Sequence, residues 1–191
     1  MVETVHATQA TYRVLLDALA RPGVPRALPA WRFGDAPAAL GPAVAATAVA
    51  LLDADVALWE QPGALDAAAR AWLTFHTGTR VCFEGTEADF AFIRDLSSLE
   101  LGSFAVGTPE EPERSTTLLI RLPRLDGGLR VSLRGPGIEE VVGCAPPLPR
   151  AFWEAWRING GAYPCGVDAF LFDDAGVIGL PRTLQVEEVR G

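Results

Sequence analysis

The 191-residue sequence predicts an α/β fold, a mixed β-sheet covered by helices, and three observations carry that expectation. Helical stretches, some amphipathic and one almost wholly apolar, are interspersed with short β-rich runs. The last two runs, AFLF and VIGL, flank Asp173-Asp174-Ala175-Gly176, a strong hairpin signal that brings antiparallel pairing into the sheet. Hydrophobic residues make up 49% and charged residues 21%, enough to bury a core without disulfides or metals and to leave apolar surface for a partner. One domain over residues 1–191 is expected.

The elements follow in order. Tyr12, Leu15, Leu16 and Leu19 recur at i, i+3, i+4 and i+7, predicting an amphipathic helix that rests on the core and stops at Arg21-Pro22-Gly23. VPRALPAWRFGDAP is proline-rich and reads as extended, with room for one short strand. Residues 38–52 are small or apolar, with Pro42 near the start, and predict a helix buried on most sides. ADVALWEQPG reads as a buried strand closed by a Pro-Gly turn. Leu65, Ala68, Ala69, Trp72 and Phe75 then mark the core face of another helix, ending at His76-Thr77-Gly78.

RVCFE is strand-like, and EADFAFIRDL combines a capping-box pattern, Thr86-x-x-Asp89, with the alternation of Phe90 and Phe92; its shortness favours a strand. GTPEEPERS reads as a charged, mobile loop. TTLLIRL and LRVSLRG, separated by PRLDGG, are expected to pair across a Gly-Gly turn. RAFWEAWRI places Phe152, Trp153 and Trp156 on one helical side.

Composition excludes several classes of function. The net charge of -8 opposes the phosphate-tracking electrostatics of nucleic-acid binding. The longest apolar stretch is interrupted by Asp53 and Asp55, and the N-terminus lacks a basic-then-apolar signal, so neither a membrane span nor export is expected and the location expected is cytoplasmic. Cys82, Cys144 and Cys165 are too widely spaced for a zinc site or a disulfide framework. All 16 basic residues are arginine. Without lysine, pyridoxal-phosphate and Schiff-base chemistry lack their amine and a Walker A loop lacks its cation; a guanidinium, which stays protonated, replaces neither.

Polar candidates remain, each with a structural alternative. RGPGI, directly after a strand, could turn the amides around Gly135 and Gly137 into an anion nest beside Arg134, or serve only as a sharp turn. Arg182 and Thr183 in LPRT suit an anionic ligand or a partner carboxylate, or a solvated strand end. His76 could be an acid-base group or could satisfy free carbonyls at a helix end. Cys165 in YPCGVD lacks the cationic setting of a nucleophile, since the neighbouring Asp168 would raise a thiol pKa, so a structural thiol is expected, with Asp168 tying turn amides at the start of a strand.

Taken together, YRVLLDALARPG, FHTGT, LRVSLRGPGI, YPCGVDAFLF and IGLPRTLQVEEV, in that order and over nearly the full length, resemble the PhnH family, the H subunit of the bacterial carbon-phosphorus lyase system for phosphonate catabolism. The family usually has a bulkier apolar residue where Cys165 stands. The resemblance implies a fold similar to that of pyridoxal-phosphate transferases but without the cofactor, a homodimer, and assembly with the G, I and J subunits. It also implies participation, with the G, I and L subunits, in transferring the ribose triphosphate moiety of ATP to an alkylphosphonate, in a supporting rather than catalytic role. A phosphonate or nucleotide anion is the ligand this suggests for Arg134, Gly135, Gly137, Arg182, Thr183 and His76. The alternatives are a stand-alone phosphate- or phosphonate-ester enzyme centred on Arg134, His76 and Arg182, and a small-anion sensor.

Overall fold

Continuous apolar runs make central strands and alternating runs make one-faced strands, and this difference divides the β-structure into two sheets. The computed structural model describes residues 2–30 and 35–190. It runs α1 (Val2–Ala20), β1 (Arg26–Ala27), α2 (Gly41–Leu51), β2 (Ala57–Glu60), α3 (Ala67–Thr77), β3 (Arg80–Cys82), β4 (Phe90–Ile93), β5 (Thr117–Arg121), β6 (Arg130–Arg134), β7 (Val142–Cys144), α4 (Arg150–Gly161), β8 (Asp168–Phe172), β9 (Gly176–Leu180) and β10 (Gln185–Arg190). The seven-stranded sheet has the order β1-β9-β8-β5-β4-β2-β3, and β10-β6-β7 form a separate antiparallel sheet. Strands β3, β2, β4, β5 and β8 are mutually parallel, while β9 and β1 add antiparallel pairing at one side. The expected α/β architecture with a mixed sheet is therefore present. Part of the extended segment, residues 31–34, lies outside the described residues.

The predicted pairing of TTLLIRL with LRVSLRG does not occur. Leu118, Leu119 and Ile120 of β5 are all buried, as a strand covered on both faces requires, and β5 lies parallel between β4 and β8. In β6 only Val131 and Leu133 are fully buried, and the strand pairs with β7 and β10 instead. Between the two strands, Arg124 donates to the carbonyls of Asp126 and Gly127 at 2.9 and 3.2 Å, folding the Gly-Gly segment upon itself.

Two cores flank the large sheet. Leu58, Phe92, Leu119 and Phe172 meet α1, α2 and α3 on one face. On the other, Ile93, Leu118, Ile120 and Leu171 meet Trp153 and Trp156 of α4 and Val131 and Leu133 of the small sheet. Helix α2 is buried on most sides, as its composition predicts, with Pro42 in its first turn. Asp173 accepts from the amides of Ala175 and Gly176 at 2.9 and 2.7 Å, making the predicted turn of the β8–β9 hairpin.

Two helical faces are rotated from those the periodicity predicts. In α1, Thr11, Leu15 and Ala18 are buried while Tyr12 and Leu16 are 45% and 50% exposed. The helix docks where β9 is thinnest: a Cβ at Gly179 would lie 2.4 Å from the Ala18 carbonyl oxygen. Close approach selects the face that carries a small residue. In α3, Asp66 caps the start by accepting from the Ala69 amide at 2.7 Å and Gly78 ends it in the left-handed region. That frame buries Leu65, Ala69 and Leu73 and leaves Ala68 exposed and Phe75 85% exposed. EADFAFIRDL reconciles both its signals, a short 3-10 turn at Gly85–Glu87 followed by β4.

Among the described residues no helix is long and apolar enough to cross a membrane. Substituting Gly179→Ala should force α1 away from β9 and destabilise the protein by about 1–3 kcal/mol. A urea denaturation midpoint equal to that of the parent protein would contradict this packing.

Candidate functional site

The β8–β9 hairpin brings Asp168, the first residue of β8, opposite the turn that follows β9 and carries Arg182. Asp168 Oδ1 accepts from the Arg182 backbone amide at 2.6 Å. The guanidinium Nε donates to both Asp168 oxygens at 3.2 Å, and Nη2 donates to Oδ2 at 2.5 Å. Nη1 donates to the Pro112 and Pro164 carbonyls at 2.6 and 3.4 Å, and Nη2 also donates to the Ser115 hydroxyl. All five guanidinium donors thus meet protein acceptors. With its side chain only 13% exposed, Arg182 is not the solvated strand end of the simpler expectation but a cross-link. It also ties down GTPEEPERS, so that segment is anchored rather than a free loop.

YPCGVD is the turn that delivers α4 into β8. The Cys165 amide donates to Ala162 O at 3.0 Å and the Gly166 amide to Val106 O at 2.8 Å. Buried Asn159 of α4 completes the turn like a neighbouring strand, donating to Val167 O at 2.9 Å and accepting from the Val167 amide at 2.8 Å. Asp168 does tie a backbone amide, as expected, but that of Arg182 across the hairpin. Cys165 is half-buried in this turn. His76 lies elsewhere, exposed on α3 near edge strand β3, which stands four strand spacings, roughly 19 Å, from β8. Its ring packs on Trp72 with centroids 4.2 Å apart. The α3 end is closed by the Thr77 hydroxyl on Leu73 O and by the Gly78 amide on Thr74 O, so His76 does not perform the expected carbonyl capping.

RGPGI and LPRT, distant in sequence, meet. Arg134 ends β6 and donates through Nε to Glu187 at 2.6 Å in a half-exposed pair. A Cβ at Gly135 would stand 3.0 Å from the Thr183 carbonyl oxygen. The Ile138 amide closes a turn on Gly135 O at 3.1 Å, and Gly137, at φ 83°, lies so close to the end of α1 that a Cβ would stand 2.0 Å from Ala20 O. Gly137 thus has both conformational and steric grounds for being glycine. The fold brings Arg134 and Gly135 beside Thr183 and leaves His76 apart. A cleft of about 260 Å³ lies beside them, lined by Pro112, Tyr163, Pro164, Arg182 and Thr183 among others.

At the opposite edge of the sheet are two arginines that belong to no sequence motif, Arg94 after β4 and Arg121 at the end of β5. The only sequence signal is that FIR and LIR each close a buried strand with a cation. Gln61, following β2, joins this edge: it accepts from the amides of Arg94 and Asp95 at 3.0 and 2.8 Å and donates to Asp95 O and to the Ser98 hydroxyl at 2.7 and 3.2 Å. The Asp95 carboxyl is held below its usual range by the Ser97 amide. Burial raises the Cys82 thiol pKa and pushes Cys144 up to about 12. No cluster of metal-ligating side chains occurs among the described residues.

Fold and site together define an α/β protein whose best-formed polar cluster is a structural cross-link, not a nucleophile with its base. The chain belongs to the PhnH family, matching the family described as "Bacterial phosphonate metabolism protein (PhnH)" over residues 1–187. It is 37% identical over 187 residues to the alpha-D-ribose 1-methylphosphonate 5-triphosphate synthase subunit PhnH of Rhizobium meliloti (strain 1021), covering 97% of this chain and 92% of that protein. It is also 32% identical over 82 residues, 42% of each chain, to HtxG of Stutzerimonas stutzeri, described as a candidate C-P lyase subunit.

Arg182→Lys should destabilise the protein by about 2–4 kcal/mol, because an ammonium cannot occupy the five-donor fork around Asp168. Thermal or urea melts read this loss, and Cys165→Ser serves as the control, with a change below about 1 kcal/mol. Cys144 keeps its proton in the folded state after the unfolded thiol, of ordinary value 9.0, has released its own. Its contribution to stability is therefore complete below pH 9 and lost as pH rises towards 12, a decline that Cys144→Ala should flatten in denaturant melts across that range.

Proposed function

We propose that this protein is a subunit of the carbon-phosphorus lyase system, acting with the G, I and L subunits in the transfer of the ribose triphosphate moiety of ATP to an alkylphosphonate. Its role in that reaction is supportive rather than catalytic. The observation that carries this reading is the near full-length likeness to the Rhizobium meliloti synthase subunit. The spent donors of Arg182 and the separation of His76 from the Arg134–Thr183 face support a non-catalytic role.

The protein is cytoplasmic in this proposal, dimerises, and joins the G, I and J subunits. Exposed Val5, Tyr12 and Leu16 on α1, and Phe75 and Phe83 near edge strand β3, supply apolar surface for these contacts. A sheet of parallel strands bordered by an antiparallel β9 and helices on its face suits the likeness to the pyridoxal-phosphate transferases. The residues do not fit that cofactor, because a chain without lysine has no side-chain amine for an imine. No catalytic step is assigned to it. Arg134, Gly135 and Thr183 are the anion-facing part of the sequence-defined set, with Arg182 and Gly137 holding the face in place.

Co-expression with the G, I, J and L subunits is expected to recover this chain in the complex, and the isolated chain is expected to show no turnover of ATP with methylphosphonate. Turnover by the isolated chain would support the stand-alone enzyme. Arg134→Ala should weaken phosphonate or nucleotide affinity and leave assembly intact; lost assembly would place Arg134 in a subunit interface instead.

A further inference from the structure

In open α/β sheets, ligands bind outside the carboxyl ends of the strands, where neighbouring connections leave in opposite directions. In this sheet the chain leaves β2 for α3 and β3 on one side and leaves β4 for β5 on the other. Gln61 bridges the crevice between β2 and β4 and fixes the backbone of Arg94. Ile93 pairs with Ile120 across β4 and β5, so Arg94 and Arg121 are the next neighbours, on strands about 4.8 Å apart. Their positions alternate onto the face of Phe92 and Leu119.

The two guanidiniums are held differently. Arg121, 20% exposed, donates through Nη1 to Ala38 O and Ala39 O at 2.6 and 3.0 Å and through Nη2 to Asp174 at 2.9 Å. Asp174 is 68% exposed, a carboxylate laid from solvent over a largely buried cation. Arg94 donates to Ala64 O at 3.4 Å and has no ion-pair partner among the described residues. Asp95, which follows Arg94, is turned onto the Ser97 amide at 2.9 Å, Glu60 pairs with Arg70, and Asp173 is held by its own turn. Both arginines line a cleft of about 270 Å³ with Asp174, and both also line an adjoining groove of about 720 Å³ whose walls include Leu96, Leu129, Pro147 and Leu148. Paired planar cations bind the oxygens of a tetrahedral dianion, and the groove is of the size and apolar character that accepts an organic substituent.

We propose that Arg94 and Arg121 form a phosphate- or phosphonate-binding site at the carboxyl edge of the seven-stranded sheet, with the adjoining groove holding the organic part of the ligand. This site lies at the opposite edge from Arg134 and Thr183, which sit beside the start of β8. Asp174 occupies the place of the anion on Arg121 and leaves when the ligand binds.

The test is calorimetric titration of the isolated full-length chain at low salt with inorganic phosphate, methylphosphonate and phenylphosphonate, so it does not depend on complex assembly. Phenylphosphonate should bind several-fold more tightly than inorganic phosphate. Arg94→Gln should weaken phenylphosphonate about 10-fold, corresponding to about 1.4 kcal/mol. Asp174→Asn, which removes the competing carboxylate, should tighten binding severalfold, a gain that a merely structural role would not produce. The Arg94→Gln and Asp174→Asn effects should persist in the Arg134→Ala background, which separates this site from the Arg134–Thr183 face. Absence of binding by all three anions through the millimolar range overturns the proposal, as does an affinity insensitive to Arg94→Gln or not raised by Asp174→Asn. Equal affinities for phosphate and phenylphosphonate overturn the assignment of the groove.

Discussion

Where the Asp168 carboxylate receives Arg182, three stretches of chain far apart in sequence become one structure: the turn into β8 with the start of that strand, the turn after β9 and the 112–115 segment. A half-buried carboxylate is costly unless its oxygens are used, and a half-buried guanidinium is costly unless its donors are. Each answers the other's need, and the leftover donors reach two carbonyls and a hydroxyl on separate segments. The segments cannot move independently without stranding a charge. The amino edge of the sheet is thereby a rigid platform, on which Gly135 and Thr183 are set side by side.

The same accounting separates structural polarity from available polarity. Asn159 spends its amide on both backbone groups of Val167, and Gln61 spends its own on four groups around the β2–β4 crevice. Such side chains complete backbone hydrogen bonding where no strand is present to do so. Arg134 and Arg94 differ, one held by an exposed glutamate and the other by a single long hydrogen bond. In a chain without lysine, arginines of that kind are the cations with donors to spare, and a forked guanidinium binds anions without forming a covalent bond.

Much of the architecture is legible in the sequence, and the elements that are not differ in their reasons. The hairpin around Asp173, the buried α2 and the strands β2, β4, β8 and β9 are local or strongly periodic and were read correctly. Strand β7, with only Val142, Gly143 and Cys144, has too little pattern to be read, and in β10 the adjacent acids Glu187 and Glu188 break the alternation, where the register shifts against β6. The rotated faces of α1 and α3 arose because hydrophobicity ignores how near a backbone can approach: Ala18 lies over Gly179, whereas the larger Tyr12 and Leu16 face solvent.

What the sequence determined by itself was chemical: which groups exist, that none is a primary side-chain amine, and which short runs must be helix, strand or turn. Family membership is carried by the sequence as well, which matches the family over residues 1–187. Tertiary structure decided what each charge is for. Arg182, Arg134, Arg94 and Arg121 are one residue type, and their different fates follow from whether the fold places acceptors around each fork. Sequence spacing cannot convey that, because those acceptors come from segments as far as 83 residues away in the chain.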